Sequence, residues 1–283
     1  MKPWPWMLAT LVACGHAPPP AGPGYVEGQG PLAPAAPTYT ITSAPAAVDD
    51  LARHSMTKHL DLTYLQAGTP SRLVIDEAFS CDLQTVIVDG GRPTRVAVMY
   101  PMQGVAVDVD GVVTRHADLE GKGYLLERLG DAELQGLHID GTHVSADEAE
   151  VLRAHHLRLG RPSGMVPLVA SRQWTIDQDV VLTPAELATY FNDPLEPDKT
   201  RGTTVRLIRV SDTELVFDVT GDVAVPTTGG GTLAWKSVVT MARDGSVVIS
   251  DGAGTGQAIM NSRKVAIELT QTDRYERQPA PTP

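Results

Sequence analysis

The stretch "RLVIDEAFSCDLQTVIV", residues 72–88, alternates apolar and polar side chains over seventeen residues. Leu73, Ile75, Phe79, Cys81, Leu83 and Ile87 hold odd positions, and Asp76, Ser80, Asp82 and Gln84 alternate with them. A period of two sends successive side chains to opposite faces of a strand, so one face is apolar and the other wet. Glu77 and Thr85 interrupt the alternation. "TLAWKSVVTMARDG" repeats the pattern with Leu233, Trp235, Val239 and Met241, and "RKVAIELTQ" with Val265, Ile267 and Leu269. Asp89-Gly90-Gly91, Asp110-Gly111, Asp140-Gly141 and Asp244-Gly245 have the residues that type I′ hairpin turns demand. Long strands joined by tight turns predict an antiparallel meander.

Two helices interrupt it. "SADEAEVLRAHHLRLG" opens with the capping box Ser145–Glu148, places Ala149, Leu152, His156 and Leu159 at helical spacing, and stops at Gly160. "TPAELATYF" has Thr183 as its cap, Pro184 in the first turn and Glu186 three residues after the cap. The expected fold is therefore α+β: an antiparallel, β-rich meander forming a curved sheet or half-barrel, with two helices inserted near the middle of the chain and packed into its open side.

The chain begins with one charge, Lys2, then a short apolar run from Trp4 to Ala13, which has the form of an export signal and is too short for a stable membrane span. Leu11-Val12-Ala13-Cys14 resembles the lipobox of bacterial lipoproteins. The resemblance implies cleavage between Ala13 and Cys14 and lipidation of Cys14, and Gly15 after the cysteine implies transfer to the outer membrane with the domain in the periplasm. Three acyl chains at ~0.8 kcal/mol per buried methylene would hold the protein firmly. Residues 14–48 contain eight prolines and one charged residue, Glu27, which predicts a tether. The expected organisation is a signal over 1–13, a tether over 14–48, one domain over 49–277 and a frayed tail over 278–283.

The segments "HIDGTHVSADEAEVLRAHHLRLGRPSG", "SRQWTID" and "TPAELATYF" resemble the middle of a group of bacterial lipoproteins with a β-rich envelope domain, a group that carries no established activity. In architecture the chain is also similar to periplasmic lipoprotein carriers, whose half-barrel binds acyl chains.

Candidate chemistry is sparse. Ser55-Met56-Thr57-Lys58 has the S-x-x-K spacing of penicillin-binding proteins, but Met56, Leu60, Leu62 and Tyr64 alternate with polar residues, which predicts a strand where that serine needs a helix start. Its companions, Lys199-Thr200-Arg201 and Ser211-Asp212-Thr213, are degraded and out of order. No G-x-S-x-G elbow occurs. Cys81 reads as a buried, inert thiol. His138, His143, His155 and His156 fall within nineteen residues, yet their spacing does not suit zinc, and one surface and one half-buried histidine are expected on the helix. Asp108-Val109-Asp110-Gly111 lacks the rest of a calcium loop, and "DGAGTGQA" precedes a strand pattern where a dinucleotide loop needs a helix.

A net charge of −11, with no cluster of Lys and Arg among aromatics, sets nucleic acid aside as a partner. No metal or other cofactor is expected. The reading that follows is a lipid-anchored, non-enzymatic envelope protein whose curved sheet takes an acyl chain or other hydrophobic ligand, with Phe79, Leu83, Trp235 and Ile267 facing it. The alternative is an interaction or structural module with a packed core that docks an envelope protein, and the third is an acid–base hydrolase.

Overall fold

The computed structural model describes residues 36–64, 71–129, 134–156, 159–160, 164–191, 200–224, 230–260 and 262–278. The expected signal, Ala13, Cys14, the first part of the tether and all but the first residue of the tail lie outside them. In chain order the elements are β1 (Thr38–Tyr39), β2 (Leu51–Tyr64), β3 (Ser71–Asp89), β4 (Arg92–Val109), β5 (Val112–His116), β6 (Gly123–Arg128) and β7 (Leu134–His138). Next come α1 (Ala146–His155), α2 (Met165–Ala170), β8 (Trp174–Thr175), β9 (Asp179–Val181) and α3 (Pro184–Phe191), and then β10 (Thr200–Val210), β11 (Glu214–Ala224), β12 (Gly231–Ala242), β13 (Val247–Met260) and β14 (Arg263–Gln278).

Twelve of the described strands form one curved, unclosed antiparallel sheet, ordered β7-β6-β4-β3-β2-β14-β13-β12-β11-β10-β9 with β5 on the C-terminal part of β4, and β1 and β8 pair apart from it as a two-stranded ribbon. Each hairpin keeps its neighbour in sequence as its neighbour in space, as a meander requires. One long-range pairing joins the two halves: β2 and β14 run together from Leu51 opposite Gln278 to Tyr64 opposite Val265. The sheet is thus seamed at its centre by the ends of the folded chain, while its edges, β7 and β9, come from the middle.

The turns divide into two kinds. Gly90 and Gly91 have φ of 55° and 75°, and Asp110 and Gly111 have 51° and 91°, the paired positive angles of type I′. At Asp140-Gly141 and Asp244-Gly245 only the glycine is positive, at 85° and 71°. There the aspartate carboxylate instead accepts the backbone N–H two residues on, Thr142 and Ser246, each at 2.9 Å. Those two turns therefore depart from the expected type I′ geometry because a side chain supplies the turn bond.

α1 carries both halves of the capping box, Glu148 N–H to Ser145 Oγ at 3.2 Å and Ser145 N–H to Glu148 Oε2 at 2.9 Å. Thr183 and Glu186 repeat the device at α3. A third helix, α2, was not legible in "MVPLVA" because Pro167 lies inside it. The proline is in the first turn, where its missing N–H has no intrahelical partner to lose. Met165, Leu168 and Val169 are buried there, and Trp174 Nε1 donates to the Val169 carbonyl at 3.1 Å.

The folded unit also begins earlier than residue 49. Thr38 and Tyr39 pair with Thr175 and Trp174, Ile41 is 5% exposed, and the Arg277 guanidinium donates to the Ala44 and Pro45 carbonyls at 2.6 Å. Part of the expected tether, from Thr38 on, is thereby tied into the folded unit.

Inward-facing side chains gather into three clusters. α2, α3 and the β1–β8 ribbon cover Leu207, Leu215, Phe217 and Val239 on β10–β12. α1 covers Phe79, Cys81, Val98, Tyr100 and Leu126 on β3, β4 and β6. The third cluster, Leu62, Leu233, Val265 and Ile267 with Leu60, Trp235 and Leu269 packed against it, has no helix over it among the described residues. There β13 turns Gly252, Gly254 and Gly256 inward. A Cβ at Gly252 would stand 2.0 Å from Trp235 Cζ2, and one at Gly254 2.9 Å from Leu233 Cγ, so the missing side chains are what let the indole lie on the strand. The glycine run that superficially suggests a dinucleotide loop is a seat for Trp235.

Candidate functional site

The register makes the inner face readable row by row, because directly opposed residues of an antiparallel pair share a face. One row runs Val105, Glu77, Lys58, Gln271, Gly252, Ser237, Val219 and Val205 across β4, β3, β2, β14, β13, β12, β11 and β10. Its far end is apolar and covered by helices. Its centre is polar and uncovered, and forms an open groove of about 680 Å³ whose walls include Lys58, Glu77, Gln103, Val105, His116 and Gln271, with Gly252 in its floor.

From this groove a chain of polar contacts leads into the core. Lys58 Nζ lies 3.3 Å from Glu77 Oε2, and His155 Nε2 lies 3.1 Å from Glu77 Oε1. His155 Nδ1 is 3.1 Å from the Tyr100 hydroxyl, and His156 Nε2 approaches the same oxygen at 2.7 Å. The phenol has one hydrogen, so it donates to one ring and accepts from the other. Phe79 stacks on His155 with ring centroids 4.0 Å apart and meets His54 edge-on at 5.0 Å. His54 Nε2 in turn lies 2.9 Å from Asp273 Oδ1, joining β2 to β14.

Electrostatics separate the accessible end of this chain from the sealed one. The His155 hydrogen bond, partly offset by burial, holds the Glu77 carboxyl below its ordinary range, with Lys58 adding to the effect. Tyr100 is fully buried, and burial raises its pKa. Burial likewise pushes His156 down to about 3, with smaller contributions from His54 and His155. Glu77 is thus an anion at the groove, and Tyr100 and His156 are neutral groups behind it, out of reach of any ligand. Burial, with Asp82 beside it, pushes the Cys81 thiol up to about 12, so it offers no thiolate.

A second feature of the wall is Gln103. It is 2% exposed, its Oε1 accepts from the Leu119 backbone N–H at 3.2 Å, and its Nε2 has no hydrogen-bond partner. The Leu119 loop lies here because β4 changes partners, pairing β5 through residues 105–109 and β6 through 95–99. Gly121 and Lys122 bridge the gap by bonding both backbone groups of Tyr100, at 2.8 and 3.1 Å.

The residues singled out in the sequence fall as follows. Phe79, Leu83, Trp235 and Ile267 all face inward, and they meet the protein's own side chains: Phe79 and Ile267 are 1% and 5% exposed, and Leu83 and Trp235 pack against the clusters. Ser55 and Lys58 are three residues apart on a strand and so point to opposite faces. The His155 side chain, 4% exposed, and His156 are both shielded, contrary to the expected surface histidine, since the end of α1 is pressed onto Tyr100 and Phe79. His138 instead tilts over Tyr124. Among the described residues no group of three or more His, Cys, Asp and Glu side chains is arranged to hold a metal. Lys58 is legible in the sequence only as part of Ser55-Met56-Thr57-Lys58, and Gln103 is not singled out at all; each is a polar residue on an apolar phase, the same signal that Glu77 and Thr85 give on β3.

No family model matches the chain, and no curated protein does. Among solved structures the chain is similar to an outer membrane channel from Pseudomonas putida, at a TM-score of 0.23 and 8% identity, covering 83% of this chain and 98% of that one. A likeness at that score carries no argument about fold or activity.

Proposed function

We propose that this is a lipid-anchored, non-enzymatic protein of the bacterial cell envelope, held at the outer membrane through Cys14, whose polar groove is a binding face for a polar segment of an envelope partner. The observation that carries the binding reading is the groove itself: on an inner face otherwise covered by helices and closed by packed clusters, the row around Lys58 and Glu77 is left open. An acyl-chain carrier has less support, because the apolar side chains expected to line its cavity pack against one another. A hydrolase also has less support, since Glu77 is held ionised, a poor proton donor near neutral pH, and both its oxygens are engaged by Lys58 and His155.

Two measurements test this. Cys14→Ser should abolish labelling by a palmitate analogue and block lipoprotein processing; undiminished labelling overturns the anchor. A photo-crosslinking phenylalanine at Val105, in the groove, should form an adduct in intact cells, while one at Val238, exposed on the outer face, should not. Equal labelling at the two positions, or none at Val105, overturns the binding face.

A further inference from the structure

One stretch of sheet edge has no neighbour among the described residues. β7 pairs β6 from Leu134 opposite Arg128 to His138 opposite Tyr124, and the chain then turns at Asp140-Gly141. β5 lies beyond that turn, on residues 105–109 of β4. All five of its residues, Val112–His116, are exposed, with Val112 at 71% and Val113 at 50%. It lacks the usual protections of an edge: its pairing with β4 has no bulge, and it contains no proline or lysine. The hairpin fixes which backbone groups are free. In the type I′ turn Val112 N–H bonds back to the Val109 carbonyl, and bonded residues alternate along an antiparallel pair. Val112, Thr114 and His116 therefore bond to β4, and Val113 and Arg115 direct N–H and C=O outward.

This strand is complementary to itself. Two copies related by a two-fold axis run antiparallel, and their outward-directed residues must oppose one another. Three registers keep the strands overlapped. Arg115 opposite Arg115 sets like charges together. Val113 opposite Val113 carries Arg115 and His116 off the strand and onto the Asp110-Gly111 turn. Val113 opposite Arg115 instead pairs Val112–His116 over its full length, with Thr114 on the axis and two hydrogen bonds in each Val113–Arg115 pair. The charges agree with it. Val113 shares an outer row with Asp108, so Arg115 of one copy enters the row that holds Asp108 of the other. On the inner face the exposed Val112 meets His116. We propose that the chain forms a two-fold dimer by antiparallel pairing of β5 with β5 of a second copy, centred on Thr114, which joins the two sheets edge to edge. The pairing is independent of the polar groove, whose Glu77 and Lys58 lie inward of β4 on β3 and β2.

Thr114 meets its counterpart as a non-hydrogen-bonded pair, with Cα atoms ~4.5 Å apart, inside the roughly 4.4–6.8 Å that a disulfide spans. The full-length chain carrying Thr114→Cys should therefore give a disulfide-linked dimer in intact cells under mild oxidant, read on a non-reducing gel. The wild type, whose Cys81 is buried, sets the background. Val112→Cys is at a position 71% exposed, yet its two copies would stand ~14 Å apart, so alone it should give at least tenfold less dimer. Coexpressed with His116→Cys, which it opposes, it should crosslink. Val113→Pro spares the β4 ladder because the Val113 N–H points outward. Added to Thr114→Cys, it should remove the dimer without lowering the denaturation midpoint. No dimer from Thr114→Cys, equal crosslinking from Val112→Cys alone, or a dimer that survives Val113→Pro overturns the proposal. A Thr114→Cys adduct to a different protein in place of the dimer also overturns it, and gives the edge to that partner.

Discussion

Replacing Glu148 with glutamine separates what a helix cap contributes from what the tertiary fold adds to it. Glutamine is as acceptable as glutamate at the third position of a capping box, so the local bond back to Ser145 N–H survives. The charge does not. Glu148 Oε1 accepts from Lys122 Nζ at 2.8 Å and from the Tyr124 hydroxyl at 3.0 Å, and the residue is only 7% exposed. Burial works against ionisation, yet the bonds from Lys122, Ser145 and Tyr124 outweigh it and lower the carboxyl from 4.5 to about 2. At ~1.4 kcal/mol per pH decade that difference is ~3 kcal/mol of stability at pH 7. Because the folded-state pKa is depressed, the contribution is complete above about pH 5, falls to roughly half near pH 3, and vanishes below pH 2. Urea denaturation of the wild type and Glu148→Gln should therefore differ by roughly 2–3 kcal/mol at pH 7, with the gap closing as pH falls from 5 toward 2. A gap that holds constant over that range would refute the reasoning, since packing alone does not titrate.

Cys81 is fully buried and its thiol is raised to about 12, so it should ignore a thiol reagent in native buffer and react after denaturation; rapid native labelling, read by mass spectrometry, would contradict the placement. Gly252→Ala places a methyl 2.0 Å from the Trp235 ring, so the indole must leave its seat, and denaturation should show a loss of ~1–3 kcal/mol together with a shifted Trp235 indole resonance. An unchanged midpoint would mean that the strand does not need its glycine.

The elements that the amino-acid order determines by itself are those whose signal lies within a few residues. The alternation over residues 72–88 places Phe79 and Cys81 inward, and both are buried. Ser145–Glu148 and Thr183–Glu186 mark two helix starts because each capping bond spans three residues. Asp110-Gly111 makes its turn through its own φ angles, 51° and 91°. Everything that concerns the site spans longer distances. Lys58 and Glu77 are each, on their own strand, a polar residue on an apolar phase; only the registration of β2 on β3 makes them a pair. His155 belongs to α1, 78 residues from the carboxylate it meets, and His54 lies 219 residues from Asp273. The seam of β2 against β14 is chosen by the burial it achieves across the whole inner face, a sum over residues far apart in the chain. No local period contains that sum. The same holds for Gln103, whose orphaned donor exists only because β4 changes partners and the Leu119 loop takes the other end of its amide.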